Sequence, residues 1–94
     1  MYRLKFLPSA LREWKKLPIP IKEQLRKKLK ERLENPRTPA NRLHGFSDVY
    51  KLKLRSSGYR LVYEVNDSEV SVLVIAVGKR EKGKVYSKFI SRLC

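Results

Sequence analysis

The stretch YKLKLRSSGYRLVYEV, which runs from Tyr50 to Val65, decides the fold of this 94-residue chain. Its first half alternates apolar and basic residues, so that one face of a strand receives the apolar set and the other face the basic set. The apolar set is Tyr50, Leu52 and Leu54, and the basic set is Lys51, Lys53 and Arg55. Ser56-Ser57-Gly58 is typical of a hairpin turn, after which the alternation resumes with Tyr59, Leu61, Tyr63 and Val65. The pattern predicts two antiparallel strands, residues 49–55 and 59–65, that turn one face toward a core.

Upstream of the hairpin, the chain predicts a short strand followed by two helices. Residues 2–7 alternate loosely as far as Pro8, and Ser9 suits the N-cap of a helix over residues 10–17. Pro18 and Pro20 separate this helix from a second one that begins at Ile21. Leucines at four-residue steps mark the buried face of the second helix. These leucines are Leu25, Leu29 and Leu33. Asn35-Pro36 ends the helix, and residues 37–48 are expected to form a loop.

Downstream of the hairpin, the chain predicts one more strand and a short helix. Residues 70–77 are nearly all apolar, which is typical of a central strand covered on both faces, and Gly78 is expected to end it. Residues 85–93 predict a C-terminal helix whose inward side chains are Val85, Phe89, Ile90 and Leu93. The element order is βααβββα in a single small domain over residues 1–94. We expect an α+β fold with a mostly antiparallel sheet, the helical pair packed on one face of it.

The charge balance indicates a polyanionic partner. The chain carries 23 Lys and Arg residues against 9 Asp and Glu residues, for a formal net charge of +14. Because Cys94 is the single cysteine and His44 the single histidine, an intrachain disulfide and the usual zinc sites are excluded. A cytoplasmic setting is therefore the default. The N-terminal residues lack the apolar region of a signal peptide, and the longest apolar run is too short to span a bilayer, so no membrane association is expected.

The basic residues of the strands are predicted to converge on one patch near the end of the sheet. Its members would be Lys51, Lys53, Arg55, Arg60, Lys79 and Arg80, with Tyr86 close by. A solvated, lysine-rich sheet face would show the same pattern. Like charges opposed across strands, however, destabilise a sheet by about 0.2–1 kcal/mol per pair, and few acidic residues lie near these positions. Binding of phosphate groups would explain why the charges are placed together despite this cost in stability.

Two further features of the sequence carry less weight. The second helix has basic residues around its leucine stripe, namely Lys22, Arg26, Lys27 and Lys30. These residues are explained equally well in two ways. They can form a solubilising helix face on which Glu23 and Glu31 pair with them, or a surface that binds an RNA backbone or an acidic protein. His44 lies in the loop beside Gly45, and alone it is a weak indication of catalysis or RNA contact.

The sequence contains no Ser-His-Asp set, no phosphate-binding glycine loop and no suggestive pair of carboxylates. If the substrate is RNA, its 2′-OH can attack the adjacent phosphate. The protein must then deprotonate that hydroxyl, stabilise the phosphorane charge and protonate the 5′ leaving oxygen. A lysine crowded by other cations has a lowered pKa and can act as a base, arginine can stabilise the charge, and tyrosine can stack on a base. This chemistry requires no metal or cofactor, and we expect neither.

The chain resembles the RelE toxins of bacterial toxin–antitoxin pairs over nearly its whole length. The stretches that carry the resemblance are LREWKKL (11–17), EQLRKKL (23–29), YKLKLRSSGYRLVYEV (50–65) and VGKREKGKVYS (77–87). The resemblance implies a cytoplasmic endoribonuclease that cuts mRNA in the A site of the 70S ribosome, in contact with 16S rRNA. It also implies an acidic RelB-like antitoxin, with operator DNA bound only through the toxin–antitoxin complex, which acts as co-repressor.

The resemblance also implies roles for particular residues. The family's catalytic positions fall on Lys51, Lys53, Arg60, Arg80 and Tyr86. The lysines serve in proton transfer and phosphate contact, Arg60 stabilises charge, Arg80 is a candidate general acid, and Tyr86 packs on or orients the nucleotide. We favour Lys53 as the base without excluding Lys51. The remaining RNA-binding candidates are Lys22, Arg26, Lys27, Lys30, His44, Arg55 and Lys79. His44 departs from the family, since relatives have arginine in a similar loop.

Two alternatives stay open at this point. ParE-like toxins share the architecture but poison DNA gyrase without cutting RNA, and a plain RNA-binding module would need no catalytic set. The match at all of the expected catalytic positions argues against both. Codon-phased mRNA cleavage that requires ribosomes would separate the three functions.

Overall fold

The computed structural model describes residues 1–79 together with Ser87, Lys88, Ile90 and Arg92. In chain order the elements are β1 (Arg3–Phe6), α1 (Pro8–Lys15), α2 (Ile19–Glu34), a 3₁₀ turn (Pro39–Asn41), β2 (Val49–Leu54), β3 (Tyr59–Asn66) and β4 (Ser71–Lys79). Near the C-terminus, the four residues described after position 79 all have helical backbone. The predicted α+β class is therefore confirmed, and so is the predicted element order as far as β4. Much of the predicted C-terminal helix, residues 85–93, lies outside the described residues.

The sheet has the strand order β1-β4-β3-β2, in which β1 runs parallel to β4 and the other neighbours are antiparallel. The hairpin predicted from the alternating stretch is confirmed, with Lys53 directly opposite Arg60. At the turn, the Gly58 N–H donates to the Leu54 carbonyl at 2.9 Å. Gly58 has a φ of 78°, a conformation that favours glycine because it has no Cβ.

Both helices pack on one face of the sheet, which we call the helical face. Leu25 and Leu29 of α2 are fully buried there, as the four-residue leucine step predicts. The strand side chains that meet them are Leu52, Leu54, Leu61, Tyr63, Val65, Val72, Val74 and Val77. From the same side, Lys28 and Arg32 of α2 donate to the carbonyls of Lys53 and Lys51. These bonds use carbonyl groups of the edge strand β2, which would otherwise be open to pairing with another chain.

The opposite face carries Lys51, Lys53 and Arg60, and we call it the basic face. The basic face also carries a smaller apolar cluster, which packs against Leu43 and Phe46 of the loop before β2. The cluster consists of Val49, Val62, Ile75 and Ala76. A register shift between β3 and β4 at Val62/Tyr63 places both Ile75 and Ala76 on this face. As a result β4 is buried on both faces, which confirms the prediction of a covered central strand.

Some predicted boundaries are wrong, and proline accounts for most of the differences. Ser9 is not an N-cap, because α1 starts at Pro8 and its N-cap is Leu7. The ring of Pro8 fixes φ at a helical value and removes an N–H that the first turn cannot pair, so the helix begins at the proline itself. Pro20 likewise lies in the first turn of α2, whose N-cap is Pro18. Gly78 does not end β4, because it still pairs with Arg60 and the strand continues to Lys79.

Within the described residues, no helix has the length and apolar character needed to cross a membrane.

Candidate active site

Tertiary pairing brings Lys51, Lys53 and Arg60 together on the basic face. Lys51 and Lys53 occupy alternate positions of β2, and Arg60 faces Lys53 across the hairpin. All three residues are half-buried. On the other side of Arg60, β4 presents Gly78, which adds no side chain to the surface. The opposed like charges that the sequence indicated are therefore present at this place.

The neighbouring cations lower the pKa of one lysine of this cluster. The pKa of Lys53 is lowered, first by the charge of Lys51 and then by partial burial and the charge of Arg60. Arg55, exposed just beyond the end of β2, contributes in the same direction. A lysine with a lowered pKa has a larger fraction of free amine at neutral pH, as a general base needs.

Arg60 is the group best prepared to meet an anion. Its Nε atom is buried and has no hydrogen-bond partner among the residues described. A buried donor without an acceptor destabilises a fold by about 1–3 kcal/mol, and a phosphate oxygen would satisfy it.

Three acidic side chains at the opposite end of the sheet are paired with basic residues. Arg37 bridges Asp48 and Asp67 at 3.0 Å each, and Lys5 pairs with Glu69 at 3.4 Å. Hydrogen bonds from Arg37 and Tyr2 lower the pKa of Asp67, which keeps its charge in place. Among the described residues, by contrast, no ion pair involves Lys51, Lys53 or Arg60.

The remaining RNA-binding candidates do not all join the cluster. Lys79 pairs with Tyr59, and its Nζ lies 5.7 Å from the centre of that ring, on the side away from the basic face. Strand alternation explains this, because Gly78 takes the position on the basic face. His44 is exposed in a turn beside Gly45, whose φ is 90°. The basic residues of α2 form a separate surface over the helical face, namely Lys22, Arg26, Lys27 and Lys30. Arg80 and Tyr86 lie outside the described residues.

A carboxylate that sequence reasoning missed joins the C-terminal segment to the sheet. Glu13 of α1 accepts hydrogen bonds from Arg92 Nη1 at 2.9 Å and Arg92 Nη2 at 3.0 Å, and it pairs with Lys88 Nζ at 2.9 Å. It also accepts the backbone N–H of Val77 at 3.2 Å. Partial burial would raise the pKa of Glu13, but the bonds from Arg92, Lys88 and Val77 lower it to about 2.

The predicted packing of the C-terminal helix is wrong at one position. Ile90, expected to face inward, is 53% exposed. The other predicted inward residues, Val85, Phe89 and Leu93, lie outside the described residues. Lys88 and Arg92 join the segment to Glu13. Helical spacing could have indicated Glu13, because it follows buried Ala10 by three residues on the inner side of α1. Nothing local in the sequence indicates Arg92, whose partner is 79 residues away.

Comparison with known proteins gives consistent matches. A family model described as the ParE toxin of the type II toxin–antitoxin system parDE matches residues 4–83. The chain is 58% identical over 92 residues to the mRNA interferase toxin RelE of Escherichia coli K12, covering 98% of this chain and 97% of that protein. The mRNA interferase RelE of Shigella flexneri matches to the same extent, 58% over 92 residues.

Solved structures agree with these matches. The isolated E. coli RelE toxin superposes with a TM-score of 0.85 at 55% identity, with 100% of both chains covered. The toxin chain in the intact E. coli RelBE toxin–antitoxin complex gives a TM-score of 0.83 at 59% identity, covering 86% of this chain and 99% of that one.

Proposed function

This chain belongs to the toxin family of type II toxin–antitoxin systems, and we propose that it cleaves mRNA at the cluster formed by Lys51, Lys53 and Arg60. The relatives at 58% identity are named mRNA interferases, and the activity of this protein is accordingly that of an endoribonuclease toxin. Its antitoxin is of the RelB type, as in the RelBE complex of its structural relative. The observation that carries the catalytic assignment is the register of the hairpin, which opposes Lys53 to Arg60 beside Lys51.

The proposed reaction uses the nucleophile that RNA itself carries. Free amine at Lys53 takes the proton of the 2′-OH, and the 2′ oxygen forms a bond to the adjacent phosphorus. Arg60 donates to the phosphate oxygens as negative charge builds up on them, while Lys51 holds the pKa of Lys53 low. The bond from phosphorus to the 5′ oxygen then breaks, and that oxygen takes up a proton. The products are a 2′,3′-cyclic phosphate and a 5′-hydroxyl end.

Arg80 and Tyr86 complete the proposed set. By resemblance to the RelE toxins, Arg80 is the candidate general acid for the 5′ oxygen and Tyr86 the group that orients the nucleotide. Arg80 directly follows Lys79 of β4, and Tyr86 directly precedes Ser87.

Dependence on the ribosome follows from the weakness of this acid–base set. Lysine and arginine transfer protons poorly near neutral pH, so the substrate must be positioned by other means. Good positioning can lower a barrier by roughly 7–11 kcal/mol. We propose that the ribosomal A site supplies it and that rRNA phosphates meet the separate basic surfaces of the protein. Those surfaces comprise Lys22, Arg26, Lys27, Lys30, His44 and Arg55. The protein would then act in the cytoplasm, and operator DNA would be bound only through the antitoxin complex.

Primer extension on an mRNA translated in a purified system tests the proposal. Codon-phased 5′ ends should appear with the wild-type protein and ribosomes, and should be absent when naked mRNA is used. Lys53→Ala should slow single-turnover cleavage by roughly 10²–10⁴-fold, the usual contribution of a general base. Lys15→Ala removes the same charge from an exposed position of α1 and should cleave at the wild-type rate.

Other outcomes of the same experiment would contradict the proposal. Efficient cleavage of naked mRNA would refute ribosome dependence, and an active Lys53→Ala variant would refute the assignment of the base. The family model takes its name from ParE, which favours gyrase as the second candidate target. Inhibition of DNA supercoiling by gyrase, without any mRNA cleavage, would support that target instead. Ribosome binding without either effect would indicate a plain RNA-binding module.

A further inference from the structure

The Glu13 carboxylate accepts from three residues, two in the C-terminal segment and one in β4. Arg92 binds both of its oxygens, at 2.9 and 3.0 Å, and Lys88 lies at 2.9 Å. The backbone N–H of Val77 in β4 adds a third donor, at 3.2 Å. Only 19% of the Glu13 side chain and 21% of the Arg92 side chain are exposed. This paired and mostly buried arrangement differs from an ordinary surface ion pair, whose contribution is close to zero.

Glu13 and Arg92 also bind the backbone at the edge of the sheet. β1 pairs with β4 only as far as Val74, and beyond it no strand of the described residues lies along the outer edge of β4. There Glu13 accepts from the Val77 N–H, and Arg92 donates to the Ile75 carbonyl at 2.7 Å. Glu13 and Arg92 thus bind backbone groups of β4 that a further strand would otherwise have paired.

The end of β4 held in this way lies next to the proposed active site. Gly78 follows Val77 and pairs with Arg60, and a Cβ placed on Gly78 would lie 3.6 Å from Lys88 Nζ. Lys88 therefore lies beside the strand position opposite Arg60 while it is bound to Glu13. The bonds of Glu13 fix the start of the C-terminal segment relative to the Lys51, Lys53 and Arg60 cluster.

We propose that Glu13 is a positioning residue of the endoribonuclease: through Lys88 and Arg92 it holds the C-terminal segment against β4 so that the neighbouring catalytic positions face the cluster. The inference rests on the proposed function, because Tyr86 lies two residues before Lys88 in the chain. Glu13 itself touches neither substrate nor reacting atoms. It acts on geometry, and a misplacement of about 1 Å can slow a reaction by roughly 10²-fold.

Glu13→Gln is the informative variant, since glutamine keeps the size of the side chain and an oxygen that can accept the Val77 N–H. Its single-turnover cleavage on the ribosome should slow by roughly 10–100-fold, while its affinity for the ribosome stays within about twofold of wild type. Arg92→Ala should lose a similar factor. The double variant should be no slower than the slower single one, because both changes break the same link.

Glu69→Gln is the matched control. Glu69 also forms a lysine ion pair, with Lys5 at 3.4 Å, but at the paired end of the sheet. This variant removes the same charge and should cleave at the wild-type rate. Hydrogen exchange supplies a readout that does not depend on activity: amides of residues 87–92 should exchange faster in Glu13→Gln, and at the wild-type rate in Glu69→Gln.

The outcomes separate the positioning role from the proposed function. A wild-type protein that fails to cut mRNA refutes the proposed function, and the positioning role with it, whatever the exchange data show. Wild-type exchange at residues 87–92 in Glu13→Gln refutes the link between Glu13 and the C-terminal segment. Faster exchange with an unchanged cleavage rate shows that Glu13 is structural only and overturns the positioning role. A loss of ribosome affinity equal to the loss of rate overturns it as well.

Discussion

Removal of the Tyr63 hydroxyl tests whether hydrogen bonds behind β2 hold the strands of the site in place. Tyr63 is fully buried, and its hydroxyl donates to the Pro36 carbonyl at 2.7 Å. The same hydroxyl accepts from Arg32 Nη1 at 2.9 Å, and Arg32 also donates to the Lys51 carbonyl at 3.4 Å. Phenylalanine at this position keeps the ring stack on Tyr50, 5.8 Å between centroids, but removes both bonds of the hydroxyl.

The expected loss of stability follows from the contributions of the two hydrogen bonds that the Tyr63 hydroxyl makes. The neutral bond to the Pro36 carbonyl contributes about 1 kcal/mol, and the bond from charged Arg32 about 1.5–3 kcal/mol. Arg32 is half-buried and retains the Lys51 carbonyl, so the lower part of the second range applies. We expect Tyr63→Phe to lower the free energy of unfolding by about 2–3 kcal/mol. For a domain of this size each kcal/mol lowers Tm by roughly 4–8 °C.

Urea unfolding followed by circular dichroism measures this loss, and Tyr50→Phe is the matched control. Tyr50 is 4% exposed and stacks on the same ring, but its hydroxyl has no hydrogen-bond partner in the part of the chain described. Its loss should therefore lower the free energy of unfolding by less than about 0.5 kcal/mol. Equal losses in the two variants would refute the reasoning, because ring packing and not the hydroxyl would then account for the stability. A changed denaturant slope in either variant would indicate an altered unfolded state.

Further predictions concern the charged groups. Lys51→Ala should move the pH profile of cleavage to higher pH, because the pKa of Lys53 rises when its nearest charge is lost; an unmoved profile in single-turnover assays would rule out Lys53 as the base. The pKa of Glu13 is about 2 in the fold and 4.5 in its absence, so its stabilising effect is complete above pH 4.5 and is lost as the pH falls toward 2. Urea midpoints of wild type and Glu13→Gln should therefore converge over that interval, and a constant gap would contradict the assignment. Replacing Lys27 and Lys30 by alanine should weaken ribosome binding and lower its salt slope by roughly 0.7–0.9 per lysine. The single-turnover rate at saturation should not change, and a slower rate would place these lysines closer to the chemistry.

Local patterns predict the elements that carry the cluster. The alternation in β2 and β3 and the glycine turn between them determine which side chains share a face, since the period of a strand is two residues. With this register, Lys53 must lie opposite Arg60. The leucine step of α2 identifies the buried side of that helix in the same way, and Leu25 and Leu29 are indeed fully buried. In each case the pattern is complete within one or two neighbouring elements.

Boundaries were less predictable because competing local signals had similar strength. Ser9 is a good N-cap residue, yet Pro8 before it is a better first helical residue, and the helix starts at the proline. Gly78 suits the end of a strand, but pairing with β3 continues through it to Lys79. That continuation turns Lys79 onto Tyr59 and removes it from the basic face.

Sequence alone determined the chemistry available at this surface, which is a set of cations on one strand face with an excess of positive charge. Tertiary structure alone decided how the C-terminal segment is joined to the sheet beside that set. Glu13 and Arg92 lie 79 residues apart and meet because β1 stops short of the end of β4 and leaves backbone groups to be paired. The physical reason is the distance along the sequence over which each feature is determined. Strand and helix periodicity depend on residues close in sequence. An unpaired sheet edge and a shielded carboxylate exist only once distant elements have packed.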